Sequence, residues 1–268
     1  MRPIQALSLL VEHIEAQAFA DVYRAVPPSY ASANKVQLRK IADGACLTHG
    51  TIVIPELDRI VGVTGIGDIK GACDWMTTNC VPGWVVQVPP VFEDITRYLA
   101  GNGFRSVGNG WAKFYREVGR EEAPFSSELT VRTIDTELAG AFASILSGGF
   151  GLPIDFSEWF AAVVGRPNWT VQLAFAGSIP VSCGALYTDG HVGWMGMDAT
   201  LPDHRGKGGQ SLLIRSRLTV AAQLGLKGVT AETGQPEIEK TAQHTSFSNY
   251  QRAGFTQLYT RPNFSRSA

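Results

Sequence analysis

The stretch Thr200-Leu201-Pro202-Asp203-His204-Arg205-Gly206-Lys207-Gly208-Gly209-Gln210-Ser211 decides how the second half of this chain is read. An apolar, strand-like run from Val192 to Leu201 leads into it, and afterwards Leu213, Ile214, Leu218, Ala221 and Leu224 recur at helical spacing. A glycine-rich bend in that setting brings main chain close to a ligand, and the first amides of the helix have no partner within it. Such a bend is an anion cradle, and Arg205 and Lys207 add positive charge suited to a diphosphate. The alternative is a plain turn with two solvated basic residues; spacing alone does not separate the two. A phosphate loop of the form Gly-x-x-x-x-Gly-Lys-Ser/Thr does not fit, because Lys207 precedes the paired glycines.

Outward from the bend, the pattern predicts a strand over Leu129 to Ile134 and a helix over Thr136 to Ser147, stopped by Gly148-Gly149. Pro153 and Asp155 introduce a second helix with Phe156, Trp159, Phe160 and Val163 on its apolar face. Trp169 to Phe175, Ile179 to Tyr187 and His191 to Leu201 read as three strands joined by turns at Gly177-Ser178 and Asp189-Gly190. Gly228 to Thr233 is a strand, Thr245 to Ala253 a helix and Phe255 to Arg261 a final strand.

This order of elements resembles the GNAT superfamily, the acetyl-CoA-dependent N-acetyltransferases, from about residue 129 to 261. Arg205, Gly208 and Gln210 fall on the three places of its Arg/Gln-x-x-Gly-x-Gly/Ala signature; Gln210 departs from the usual small residue, while Gly209 keeps the loop bare. Ser246, Tyr250, Gly254 and Phe255 match a common closing helix, with Gln243 where an Asn often stands. The resemblance implies an α/β (α+β) fold with a mixed, mostly antiparallel central sheet flanked by helices. It also implies acetyl-CoA as cofactor, with the diphosphate on the amides of Arg205, Gly206, Lys207, Gly208, Gly209, Gln210 and Ser211. The pantetheine arm would run beside Met197 to Leu201, taking in Ala199, Thr200 and Leu201, with a backbone amide near Ala199 or Thr200 polarising the thioester and Ser246 and Asn249 alongside.

By the same resemblance Tyr250 is the general acid for the departing sulfur, against the alternative of a core tyrosine. Asp198 and Glu232 are candidates for the base, acting through a water, and each is equally readable as a structural group. Phe150, Phe156, Trp159 and Trp194 are read as walls of an acceptor pocket or as core. The expected activity is acetyl transfer to an amine of a small molecule or peptide. A catalytically silent acyl-CoA-binding module and a nucleotide-phosphate binder outside the family are the competing readings.

In the first half, Ile4, Leu7, Val11, Ile14 and Ala18 repeat as in an amphipathic helix, and Pro27-Pro28 break the pattern. A second helix is expected over Val36 to Ala42, with strands over Thr51 to Pro55 and Asp58 to Thr64. Gly65 to Gly71 looks like a dinucleotide fingerprint but is read as loop, because Trp75 to Pro82 lacks helical period. A strand over Gly83 to Pro89, a helix with Ile95, Tyr98 and Leu99, and a strand from Phe104 to Tyr115 follow. Tyr98, Gly103 and Phe104 echo the closing helix of the second half. The expectation is therefore two tandem halves, a degenerate GNAT-like copy over 1–122 and an acetyltransferase domain over 123–268, cut in the polar connector Glu117 to Ser127.

Composition narrows the rest. A net charge of -1 over 268 residues argues against nucleic acid as a partner. No run reaches membrane-spanning length. Cys46, Cys73, Cys80 and Cys183 lack metal-binding spacing and the histidines are scattered, so no metal is expected and a reducing cytoplasm suits the free thiols. A homodimer is compatible with this reading.

Overall fold

A computed structural model describes residues 3–52, 54–119, 125–153, 156–237, 239 and 244–266. Two compact units emerge, one of Met1–Lys113, Thr233–Ile238 and Gln257–Ala268, the other of Phe114–Glu232 and Glu239–Thr256. Asp155 and Gln243, singled out above, lie outside the described residues, as does 120–124 of the connector.

The first unit begins with α1 (Pro3–Arg24) and α2 (Pro28–Asn34), followed by β1 (Gln37–Ile41), β2 (Gly44–Thr48) and β3 (Arg59–Val61). Helix α3 (Ile66–Asn79), β4 (Val85–Gln87), α4 (Glu93–Gly101) and most of β5 (Arg105–Glu117) complete its continuous part. The last strand of the chain, β11 (Thr256–Ser265), also belongs here, in the order β1-β2-β3-β4-β11-β5. Strands β3 and β4 are parallel across the α3 crossover, whereas β1/β2, β2/β3 and β4/β11 are antiparallel. Ile69, Ala72, Cys73 and Met76 of α3 and Ile95 and Leu99 of α4 pack on Val86, Trp84, Phe104 and Phe264. Burial pushes the free thiols of Cys46, Cys73 and Cys80 up to about 12, which keeps them protonated.

Three expectations for this half are corrected. Residues 36–42 form no helix: Gln37–Ile41 is a strand, held by pairing with β2 across a turn in which Ala42 has φ +47. No strand covers 51–55 among the described residues; Asp58 instead ties that segment into a turn by accepting from the amides of His49 (2.7 Å) and Ile54 (3.2 Å). Of the supposed loop at 65–71, Gly65 is the N-cap and residues 66–71 form the first half of α3. Its apolar stripe starts at Ile69, and Gly67 and Gly71 face open space, so the glycines there cost about 1 kcal/mol each in helix propensity without breaking the helix.

The second unit takes the end of β5, then β6 (Thr130–Thr133), α5 (Ala139–Phe150) and α6 (Phe156–Ala161). Strands β7 (Trp169–Ala176), β8 (Ile179–Thr188) and β9 (Val192–Thr200) form the meander, and α7 (Gly209–Gln223), β10 (Gly228–Gly234) and α8 (Thr245–Arg252) follow. Strand order is β5-β10-β9-β8-β7-β6, antiparallel from β6 to β9 and parallel between β9 and β10. Gly148-Gly149 do not stop α5, which runs to Phe150 before Gly151 turns left-handed at φ +66. Gly149 serves close approach instead: a Cβ there would lie 2.7 Å from that of Ala199. Both units thus repeat one plan, a meander followed by a helix crossover to a parallel neighbour.

The division between units differs from the expected cut at 122/123. Strand β11 returns to the first unit beside β4, while β5 runs past residue 113 into the second. There Thr230 Oγ1 donates to the Phe114 carbonyl (2.7 Å), and the Val118 amide donates to that of Lys227 (3.1 Å).

The first unit also buries a group of charges. Glu12 and Glu15 stand three residues apart on α1, so both carboxylates share a face. Arg261 bonds Glu12 Oε2 (2.7 Å) and Glu15 Oε1 (2.6 Å), Lys113 Nζ bonds Glu15 Oε2, and the Tyr259 hydroxyl donates to Glu12 Oε1 (2.8 Å). Arg59 lies nearby, its guanidinium 3.9 Å above the Phe19 ring. Burial alone pushes the Glu15 carboxyl up; Arg261, then Lys113 and Arg59, outweigh it and hold the group at about 2. A depressed carboxyl stabilises the fold above its unfolded value of 4.5, and that contribution is lost as pH falls through about 2. Glu15→Gln, which leaves buried Lys113 and Arg261 short of a counter-charge, should destabilise by about 3–5 kcal/mol at neutral pH. Calorimetric melts from pH 7 downward should then show a smaller acid-induced loss in the variant than in the natural chain.

Candidate functional site

Strand β10 follows β9 only from Gly228↔Val192 to Ala231↔Met195. Past that pair the strands part, and the cause lies on the other edge of β9. Cys183 pairs with Ala199 and Ala185 with Gly196, so Met197 and Asp198 share the single residue Gly184. This is a β-bulge, and Met197 takes φ +55, a region L-residues seldom adopt. A bulge bends its strand and sharpens its twist, which leads residues 196–200 away from the line of β10. Main chain at Ala199, Thr200 and Leu201 is left half-buried beside the resulting gap, and Glu232, also half-buried, is the first β10 residue beyond the last pair.

The gap leads to the glycine bend. After a 3-10 turn at Pro202–His204, Gly206 (φ +77) and Gly208 (φ +80) are both left-handed, which their lack of a side chain permits. The first helical bond of α7 runs from the Leu212 amide to the Gly208 carbonyl (2.9 Å), so the amides of Gly209, Gln210 and Ser211 point out of the helix N-terminus. A Cβ on Gly209 would meet Ser182 Oγ at 2.2 Å, and Ser182 bonds Thr200 Oγ1 (2.9 Å), so the bend is pressed onto β8 and β9. Arg205 bonds the carbonyls of Gly149 (2.8 Å) and Thr200 (3.4 Å), and Lys207 that of Asp203 (3.1 Å); both side chains are exposed. Arg205 thus ties α5 and β9 to the bend as well as lending it charge.

The start of α3 makes an instructive contrast. It too follows a strand and a glycine, but its first turn carries Asp68, and a Cβ on Gly65 would lie 2.8 Å from Asp68 Oδ2. That carboxylate meets the positive end of the helix itself and repels a second anion. No acid stands in the first turn of α7.

Behind the gap is a network that joins most of the expected residues. The Tyr250 hydroxyl donates to Asp198 Oδ2 (2.7 Å), Arg217 pairs with Asp198 Oδ1 (2.6 Å), and Gln210 Nε2 lies 3.4 Å from Oδ2. Gln210 also donates to Ser246 Oγ (3.0 Å) and accepts from Asn249 Nδ2 (2.8 Å), so the residue that departs from the motif knits α7 to α8. Arg217 is fully buried and further bonds the carbonyls of Ala185 (2.9 Å), Leu213 (3.1 Å) and Gly196 (3.4 Å). Tyr250 is buried as well, stacked on Phe114 and edge-on to Phe255. Burial, and then the Asp198 charge, raise its hydroxyl well above the ordinary tyrosine value against the opposing pull of Arg217.

Arg217 and Gly184 escaped the sequence reading, although both left a signal. Arg217 stands four residues after Leu213 and four before Ala221, an arginine inside an apolar stripe; Gly184 is an isolated glycine within a strand, a common sign of a bulge. Of the four aromatics considered for an acceptor wall, Phe156, Trp159 and Trp194 are core, and only Phe150 is open, at 60% exposure. Among the described residues no three His, Cys, Asp or Glu gather as a metal would need, and no helix is long and apolar enough to cross a membrane.

The meander, glycine-led crossover helix and parallel strand parting from a bulged neighbour in the second unit match the fold of solved GCN5-related N-acetyltransferases, and a tandem member is among the similar structures over nearly the whole chain. Similar solved structures include a GCN5-related N-acetyltransferase from Kribbella flavida, 16% identical over 94% of this chain and 96% of that one, with a TM-score of 0.60. A tandem GNAT protein from the clavulanic acid biosynthesis pathway is 14% identical over 98% of this chain and 94% of its own (TM-score 0.59). A GCN5-related N-acetyltransferase from Sphaerobacter thermophilus is 16% identical over 82% of this chain and 79% of its own (TM-score 0.55). At these identities the likeness is one of fold. No family model and no curated protein matches the sequence.

The bulge makes a direct prediction. A Cβ at Gly184 would lie 2.5 Å from Asp198 Oδ1 and 2.8 Å from Arg217 Cζ, so Gly184→Ala should force the ion pair apart and cost about 3 kcal/mol or more. Gly140→Ala, at a helical site open to solvent, should be neutral or slightly stabilising; urea midpoints of the two variants test the contrast.

Proposed function

We propose that the second unit transfers an acetyl group from acetyl-CoA to an amine of a small molecule or peptide. The observation that carries this reading is the gap between β9 and β10, which opens beside the unpartnered amides at the start of α7. The donor set fits a diphosphate ester: outward main-chain amides at Gly209, Gln210 and Ser211, a bare surface at Gly206 and Gly208, and the exposed charges of Lys207 and Arg205. Ala199, Thr200 and Leu201 would hold the amide groups of the pantetheine arm as an added strand does, and Ser246 and Asn249 would act through Gln210. Acetyl-CoA supplies an activated acyl carbon.

The amine nitrogen forms the new C–N bond as the C–S bond breaks. Glu232 takes the proton of the attacking nitrogen through a water, and Tyr250 provides one to the departing sulfur, its hydrogen turning from Asp198 as negative charge builds there. Phe150, open at the end of α5 next to Gly149, offers the acceptor an apolar face.

A second reading, a silent acyl-CoA-binding module, is favoured by one observation: the Tyr250 hydroxyl is already engaged by Asp198. Calorimetry with acetyl-CoA alongside a thiol-release assay over an amine panel separates the two. Binding with turnover supports the transferase, with Tyr250→Phe lowering kcat by about a hundredfold or more. Binding without turnover on any amine supports the silent module, and tighter binding of ATP than of coenzyme A overturns both.

A further inference from the structure

We propose that Asp198 is a positioning residue, held by Arg217 through the space that Gly184 leaves open, and that its task is to fix the Tyr250 hydroxyl rather than to take a proton from the amine. The inference rests on the transferase reading for its catalytic consequence and on geometry for the rest. A base needs a free lone pair aimed at the proton it removes. Asp198 instead offers Oδ1 to Arg217 at 2.6 Å and Oδ2 to Tyr250 at 2.7 Å, with Gln210 Nε2 at 3.4 Å from Oδ2. Three elements converge on one carboxylate: β9 presents it at the bulge, α7 brings Arg217 and Gln210, and α8 brings Tyr250.

Gly184 is an independent mark of this role. A side chain at that position would overlap both Asp198 and Arg217, so the glycine on β8 and the pair it admits form one arrangement. Arg217 in turn bonds the carbonyls of Ala185 and Gly196 on the two strands that frame the bulge, so the carboxylate is fixed to the irregularity that opens the gap. Among the described residues the charged groups that act on the Tyr250 hydroxyl are Asp198 and Arg217, while β5 and the turn after α8 pack the rings of Phe114 and Phe255 against the tyrosine ring. Asp198 therefore sets where the hydroxyl oxygen sits and how tightly it holds its proton until the hydrogen turns to the sulfur, while Arg217 acts the other way on the proton.

The test compares Asp198→Asn, Tyr250→Phe and the double variant with the natural chain. In the absorbance titration of tyrosinate, Asp198→Asn should lower the ionisation of one tyrosine by about a pH unit or more, since the anion is gone and Arg217 stays, and that tyrosine should vanish from the curve in Tyr250→Phe. In acetyl transfer, both single variants should lower kcat by about a hundredfold while KM for acetyl-CoA stays within a few-fold, and the double variant should be no worse than either single one. The alkaline limb of the rate profile in Asp198→Asn should move down with the tyrosine. An unmoved tyrosine titration, losses that multiply in the double variant, or loss of the acidic limb in Asp198→Asn would each overturn the proposal. Should the natural chain acetylate no amine, the transferase reading falls and the titration alone decides the role of Asp198. If Asp198→Asn does not fold because Arg217 is left unpaired, Asp198→Asn with Arg217→Gln takes its place. It removes both charges, and loss of the directly bonded carboxylate should still lower the tyrosine ionisation.

Discussion

Two residues of β9 set against one of β8 are the constraint on which the second unit turns. Without the extra residue, β9 and β10 would continue side by side, and the main-chain groups of Ala199 to Leu201 would be spent on each other's neighbours. Bulges are kept only where something compensates their strain. Here the compensation is a buried ion pair, Asp198 with Arg217, seated in the hollow that Gly184 provides. Replacing such a pair by hydrocarbon often leaves stability unchanged or improved, so its presence points to placement of groups rather than to strength of the fold.

Much of this was legible beforehand because the second unit obeys local rules. Glycines at 177 and 190 mark its hairpins, and the apolar stripe of α7 announces a helix after a bare bend. The joining of Asp198, Tyr250, Ser246, Asn249 and Gln210 was not legible, since it depends on where α8 lands on α7 and β9, and one-dimensional spacing carries no such information. Resemblance alone linked Tyr250 to the site; the hydrogen bond to Asp198 needed the fold.

The first half was harder for a physical reason. Its strands are short, β3 and β4 covering only Arg59–Val61 and Val85–Gln87, so they show too few alternations to declare a period. Gln37–Ile41 is extended because β2 pairs with it, an influence that lies outside the segment. Helix α3 hid behind its glycines, which lower propensity without disturbing packing. The two crossover helices differ in charge: an acid stands in the first turn of α3, and Arg205 and Lys207 precede the start of α7.

The return of β11 to the first unit has a temporal side. A ribosome makes residues 1–113 early, yet the strand that lies between β4 and β5, together with Arg261, whose guanidinium answers Glu12 and Glu15, arrives only after the whole second unit has been synthesised. During that interval two acids on α1 wait without one of their counter-ions and β4 keeps an open edge. The first unit's sheet can therefore be completed only after the residues of the second unit have been made.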